Sequence, residues 1–304
     1  MDPDEIFYSE NGLRAGWRLL IWIVIFIGLS GVIGILLMKL FHVKGGAFLD
    51  PRHFLVADLI TTFIPAWVAT WLMAHIEHRT FEDYYAPARN LFGRKFVWGI
   101  VWGLLAVSLL VGMIAALGGY KILGVQLSGG SLAYWTILWI AASLAIGFVE
   151  EFTFRGYILR TLSDGIGFWP AAVILSAGFG ALHYFSKPYE RWEDFASTGL
   201  LGFFLCLTIR KTKTLAFAIG WHAAFDWGAL YLYSGRNAGE FAIGRLLRTE
   251  WPGSDRLTGG MLGPEASWLV FVVIALLFGG FALAWRGRRA NLLSSASGLV
   301  DSRK

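Results

Sequence analysis

Apolar residues along the chain fall into blocks separated by short polar breaks. The blocks cover 19–40, 54–76, 96–117, 132–160, 168–185, 195–209, 215–233 and 266–285. A helix needs about 20 residues to cross the hydrocarbon core of a bilayer, and most blocks reach or approach that length. Hydrocarbon offers no partner to exposed backbone N–H and C=O groups, so such blocks are helices. The pattern therefore predicts an all-α fold, a polytopic membrane bundle of about eight transmembrane helices. It divides the chain into a cytoplasmic N-terminus over 1–18, a single membrane domain over 19–285 and a basic, Ser-rich tail over 286–304 expected to be mobile.

The breaks have their own character. The first holds Lys44, Gly45, Gly46, Pro51 and Arg52, and 75–95 is a polar linker. The stretch 118–131 is a Gly-rich loop, 187–194 a charged loop, and 234–265 a long polar loop. Pro170 falls in the first turn of the fifth helix, where its missing N–H costs nothing.

Composition agrees. The 304 residues are 56% hydrophobic and 15% charged. A soluble domain carries about 25% charged residues, so the excess apolar surface calls for lipid. The net charge of +5 comes from residues at block ends with no aromatic-interleaved patch, which argues against nucleic acid. The single cysteine, Cys206, lies in an apolar block, so there is no disulfide framework. Four acids precede Arg14, which is not the basic start of a secretory signal. With eight crossings, sixteen of the 26 lysines and arginines fall on the side of the termini. The positive-inside rule then predicts a multi-pass protein of the cell membrane with both termini cytoplasmic.

Against this background the polar intruders stand out. The fourth block ends in Phe148-Val149-Glu150-Glu151-Phe152-Thr153-Phe154-Arg155. A carboxylate at a helix centre costs about 2.5–3.5 kcal/mol on insertion scales, so such residues are functional candidates by default. The fifth block holds Phe179 and His183, and the seventh His222 and Asp226. Residues four apart share a helix face, so Glu151 can pair with Arg155, and His222 points the same way as Asp226. Glu150 is rotated by about 100° from Glu151 and aims elsewhere. From the inner end of each helix, Glu150 lies at roughly 15 Å, His222 at about 10 Å, Asp226 at about 17 Å and His183 at about 22 Å, so all four can meet mid-membrane. The chemistry that suits them is water activation by a carboxylate, assisted by histidines that touch the water or a developing oxyanion.

In order and spacing these clusters resemble the EExxxR … FxxxH … HxxxN/D pattern of the CAAX-protease and bacteriocin-processing family, also called Abi. The Ras-converting prenyl endopeptidase is its best-known branch. The resemblance covers about 132–233, which is the core carrying all three motifs. It implies an intramembrane glutamic endopeptidase that cleaves a peptide or protein substrate in contact with lipid, without metal or other cofactor. Glu150 is then the water-activating base, His183 its partner on the water, and His222 and Asp226 the oxyanion side, with Glu151 and Arg155 a structural ion pair. The prenyl-endopeptidase branch has asparagine where this chain has Asp226. An aspartate donates to an oxyanion only when protonated, and otherwise it orients His222 or balances its charge.

Each residue also has a plainer reading. A Glu with Arg four residues on is usually a helix ion pair. A lone membrane histidine is usually an interhelical hydrogen bonder. Phe179 reads as packing, Cys206 as a small core residue, and Glu190, Glu193 and Asp194 as solvated loop charge. Competing functions are a zinc peptidase using Glu150, His183 and His222, a proton-coupled transporter, and a non-proteolytic membrane scaffold or immunity protein. No HExxH supports zinc. The sequence sets neither substrate nor oligomeric state.

Overall fold

The computed structural model describes residues 6–9, 12–41, 50–189 and 191–301. Lys44, Gly45, Gly46, Glu190, the first acids of the chain, Arg303 and Lys304 lie outside the described residues, as do the side chains of Arg286, Arg288 and Arg289.

Eight main helices follow in the predicted order. They are α1 (Ala15–Phe41), α2 (Pro51–Ile76), α3 (Arg94–Ala116), α4 (Gly129–Ile166), α5 (Phe168–Ser186), α6 (Trp192–Thr212), α7 (Ala216–Asp226) and α8 (Leu269–Asp301). The fold is the all-α polytopic membrane bundle that the hydrophobic blocks imply. Helices α1 to α5 are each long and apolar enough to cross a bilayer, and the apolar part of α8, Leu269–Trp285, is shorter. Val24, Ile27, Val32, Leu105, Ile137, Val173 and Ile174 are exposed on the outer faces, as lipid-facing side chains should be.

Two loops are more ordered than expected. Lys121–Val125 (β1) pairs antiparallel with Leu247–Glu250 (β2), with Lys121 opposite Glu250 and an irregularity between Ile122 and Gly124. The stretches 118–131 and 234–265 are thus stitched together instead of being plain loops. The 234–268 segment folds over one end of the bundle.

The centre belongs to α7. Ala216 to Trp221 and Ala223 to Phe225 are all buried. Small residues let α3 and α4 close on it. Gly99 and Gly103 form a GxxxG on α3, and Gly220 answers from α7. A Cβ at Gly99 would lie 2.2 Å from the Phe217 carbonyl oxygen, and one at Gly103 2.3 Å from that of Trp221. A Cβ on Gly147 of α4 would sit 2.8 Å from the Ala223 amide nitrogen. Backbones in membrane bundles approach this closely only where side chains are absent. At one end, Arg18 of α1 and Arg79 pair with Glu77 and Asp164, and Tyr157 donates to Glu77 at 2.5 Å. This network ties α1, α2 and α4 together.

Candidate active site

Arg155 and Glu151 are both fully buried, and Arg155 Nη1 donates to Glu151 Oε1 at 2.6 Å. The guanidinium also lies 4.6 Å from the centre of the Phe179 ring. Gly202 of α6 makes room for it, since a Cβ there would come within 2.7 Å of Arg155 Nη2. The same Glu151 oxygen accepts a second hydrogen bond, from His222 Nδ1 at 2.9 Å. Arg155, Glu151 and His222 therefore form one chain from α4 into α7, and the carboxylate fixes the imidazole's orientation.

The other ring nitrogen of His222 faces two further carboxylates. Asp226 Oδ2 is 3.5 Å from Nε2, and Glu150 Oε2 is 3.8 Å from it. Glu150 does aim elsewhere than Glu151, toward the cavity, yet both approach His222. The two acids diverge by a helical step, but an imidazole presents a nitrogen to each. Their surroundings still differ: the Glu151 side chain is 0% exposed and that of Glu150 30%. Glu150 Oε2 is itself buried and has no hydrogen-bond partner among the described residues.

His183 reaches the same place from α5. Its Nδ1 lies 3.0 Å from the carbonyl oxygen of Phe179, one turn back, and its ring packs at 4.5 Å on the Phe179 ring. Donation from Nδ1–H to that carbonyl leaves Nε2 of the neutral ring as the acceptor. Phe179 thus separates Arg155 from His183 and holds both.

Glu150, His183, His222 and Asp226 all line one cavity of about 150 Å³. Three elements bring them together, as the depth argument expected. Short π-helical stretches lie beside them: Thr153–Ile158 follows Glu150 and Glu151, and Trp227–Leu232 follows Asp226. Such widened turns often occur at functional sites. Cys206 is buried beside Ser176 and does not line the cavity.

Sequence reasoning missed the rest of the lining. Lys187, Arg236, Asn237 and Glu265 also face the cavity, all from segments read as polar loops. Lys187 Nζ donates to Glu265 Oε1 at 2.7 Å and lies 3.4 Å from Asp194 Oδ1. Burial works against the Lys187 ammonium, but Glu265 and Asp194 outweigh it and push its pKa up. Burial likewise works against the Glu265 carboxylate, and Lys187 holds that group below the usual carboxylate range. Glu193 and Asp194, expected as solvated charge, are 5% and 1% exposed. The folded 234–268 segment covers them, with Trp268 Nε1 donating to Glu193 at 3.1 Å and Arg191 pairing with Glu193 at 2.8 Å. Their only sequence signal was acids and bases alternating within a few residues. Among the described residues, no group of three or more His, Cys, Asp or Glu is arranged to hold a metal ion.

A family described as Rce1-like, type II CAAX prenyl endopeptidase, matches residues 131–228. This membrane core is similar to the CAAX-protease family. The match runs from the start of α4 to just past Asp226 and takes in all seven motif residues. No curated protein matches the chain. Arg236, Asn237 and Glu265 lie beyond the family match.

Proposed function

We propose that the protein hydrolyses a peptide bond inside the membrane with a water activated by Glu150, without a covalent intermediate or a cofactor. The observation that carries this reading is the single cavity lined by Glu150, His183, His222 and Asp226, with Glu150 Oε2 buried and holding no hydrogen bond among the described residues. A water there is positioned by Glu150 and by His183 Nε2, and Glu150 takes its proton as it attacks the carbonyl carbon. The same carboxyl then returns the proton to the leaving nitrogen. His222, with Nδ1–H committed to Glu151, donates from Nε2–H to the oxyanion when it carries its second proton. Asp226, 3.5 Å from Nε2, orients that ring and balances its charge. Its role is therefore directed at His222, which accommodates aspartate where the prenyl-endopeptidase branch has asparagine. Arg155 and Glu151 hold the ring from behind. The distribution of basic residues supports both termini on the cytoplasmic side.

The test is Glu150→Gln, which keeps shape and removes the base. Cleavage by the purified protein in lipid nanodiscs is expected to fall about 10²–10⁴-fold with unchanged thermal stability. A zinc chelator is expected to leave the wild-type rate unchanged. Cleavage retained by Glu150→Gln removes that residue from the role, and chelator-sensitive cleavage revives the zinc reading.

A further inference from the structure

Arg236 lines the candidate active cavity and has no ion-pair partner among the described residues. Its Nε is buried and makes no hydrogen bond. Among the described residues Nη1 reaches only the sulfur of Met261, at 3.0 Å, and the guanidinium lies 5.0 Å from the Phe241 ring centre. A guanidinium has five donors, and here the buried Nε–H is left without an acceptor among the described residues. Glu265 lines the same cavity but is taken by Lys187. Beside Arg236, Asn237 Oδ1 is also buried and has no hydrogen-bond partner among the described residues. Two adjacent side chains thus offer unmet polar capacity to one cavity.

Their position is fixed in advance. Arg236 and Asn237 pair antiparallel with Phe241 and Glu240 across a turn at Ala238 (φ +48°) and Gly239 (φ +90°). The Gly239 amide donates to the Met261 carbonyl at 2.7 Å. Gly263 lets the chain pass so close that a Cβ there would lie 2.1 Å from the Arg236 carbonyl oxygen.

We infer that Arg236 is a specificity-determining residue that binds a carboxylate of the substrate peptide, with Asn237 accepting a backbone N–H of the same peptide. This rests on the proteolytic reading above and names a class of substrate for it. Guanidinium and carboxylate match as forks, which makes the pair both strong and directional. The cavity's own acids, Glu150, Asp226 and Glu265, would repel such a group unless a cation received it. The carboxylate can come from an acidic side chain or from the peptide's C-terminus.

The probe is a library of apolar peptides of about twelve residues, given to the full-length protein in nanodiscs and read by mass spectrometry. It is made in three matched sets: neutral with a C-terminal amide, neutral with a free C-terminal carboxylate, and amidated with one internal aspartate. One carboxylate-bearing set is expected to be cleaved about 10–100-fold faster than the neutral amide, and which set leads identifies the source. In Arg236→Gln that ratio is expected to shrink to within about twofold. Should Arg236→Gln fail to fold, Arg236→Lys keeps the charge but loses the fork, and is expected to lower the ratio at least about threefold. Equal cleavage of the three sets by wild type, or a preference that persists in both variants, overturns the inference while leaving the protease intact. Absence of cleavage in every set, at the level of Glu150→Gln, overturns the proteolytic reading and this one with it.

Discussion

Replacing Gly103 by alanine tests the packing that brings His222 and Asp226 to the cavity. The added Cβ would lie 2.3 Å from the Trp221 carbonyl oxygen and 3.0 Å from the Ala224 Cβ. Neither can swing aside, because one is backbone and the other is fixed to it. Non-bonded heavy atoms sit comfortably at about 3.5–4.0 Å, so α3 and α7 must part by about 1 Å. Overpacking of this kind costs about 1–3 kcal/mol. It also carries His222, next to Trp221, off its contacts with Glu151 and Glu150, and a 1 Å displacement of reacting groups costs about 100-fold in rate. The control is on the same helix. Gly112 has nothing within 4 Å of its would-be Cβ, so Gly112→Ala is expected to be neutral or to stabilise by about 0.5–1 kcal/mol. Thermal unfolding followed by intrinsic tryptophan fluorescence in nanodiscs reads the first effect, and peptide cleavage the second. Equal melting temperatures for the two variants, or unaltered cleavage by Gly103→Ala, would refute the idea that glycine contacts set the position of α7.

Arg155→Met strands the fully buried Glu151 carboxylate without its cation and is expected to destabilise by about 3–5 kcal/mol. The double variant Glu151→Gln/Arg155→Met removes both charges and is expected to recover most of that loss, as a double-mutant cycle on unfolding midpoints would show. Additive losses would mean that the two side chains are not energetically paired. The Lys187–Glu265 contact gives a pH dependence. Glu265 is held below the usual carboxylate range, so its contribution is present above about pH 4.3 and is lost as pH falls through its folded value. Lys187 is pushed up, so its contribution is present below about pH 10.4 and is lost as pH rises through its folded value. Melting temperature is expected to fall on acidification below about pH 4.3, and less so in Lys187→Met/Glu265→Gln. Identical acid slopes in both proteins would contradict that assignment.

The membrane helices were legible because lipid leaves an apolar block few choices, and most helix ends fall within a few residues of the block edges; α8 is the departure, continuing to Asp301 through a tail expected to be mobile. The 118–131 and 234–265 stretches were not. Their order depends on pairing between Lys121–Val125 and Leu247–Glu250, more than a hundred residues apart, and the first strand is irregular between Ile122 and Gly124. No local pattern encodes such a partner. The same long-range folding buries Glu193 and Asp194 and delivers Lys187 and Glu265 to the cavity. Glu150, His183, His222 and Asp226 could be singled out because charge and imidazole are costly inside apolar helices and because their helix register is countable. What register could not supply was rotation between helices, which decides that Glu151, paired with Arg155 in its own helix, also meets His222.

That rotation bears on why two acids stand side by side. Adjacent carboxylates in a bilayer repel and are both hard to desolvate, so a single shared environment would favour neither. The chain separates them instead. Glu151 is enclosed and receives both the Arg155 guanidinium and His222 Nδ1, while Glu150 keeps a cavity-facing carboxylate with an unpartnered oxygen. One acid is held by its partners and so fixes the imidazole. The other remains available to a water because the first has taken the only guanidinium within reach in its own helix. On this argument the doubled glutamate is one device, and interchanging the two roles by moving Arg155 a single position along α4 should abolish cleavage even though every charge is retained.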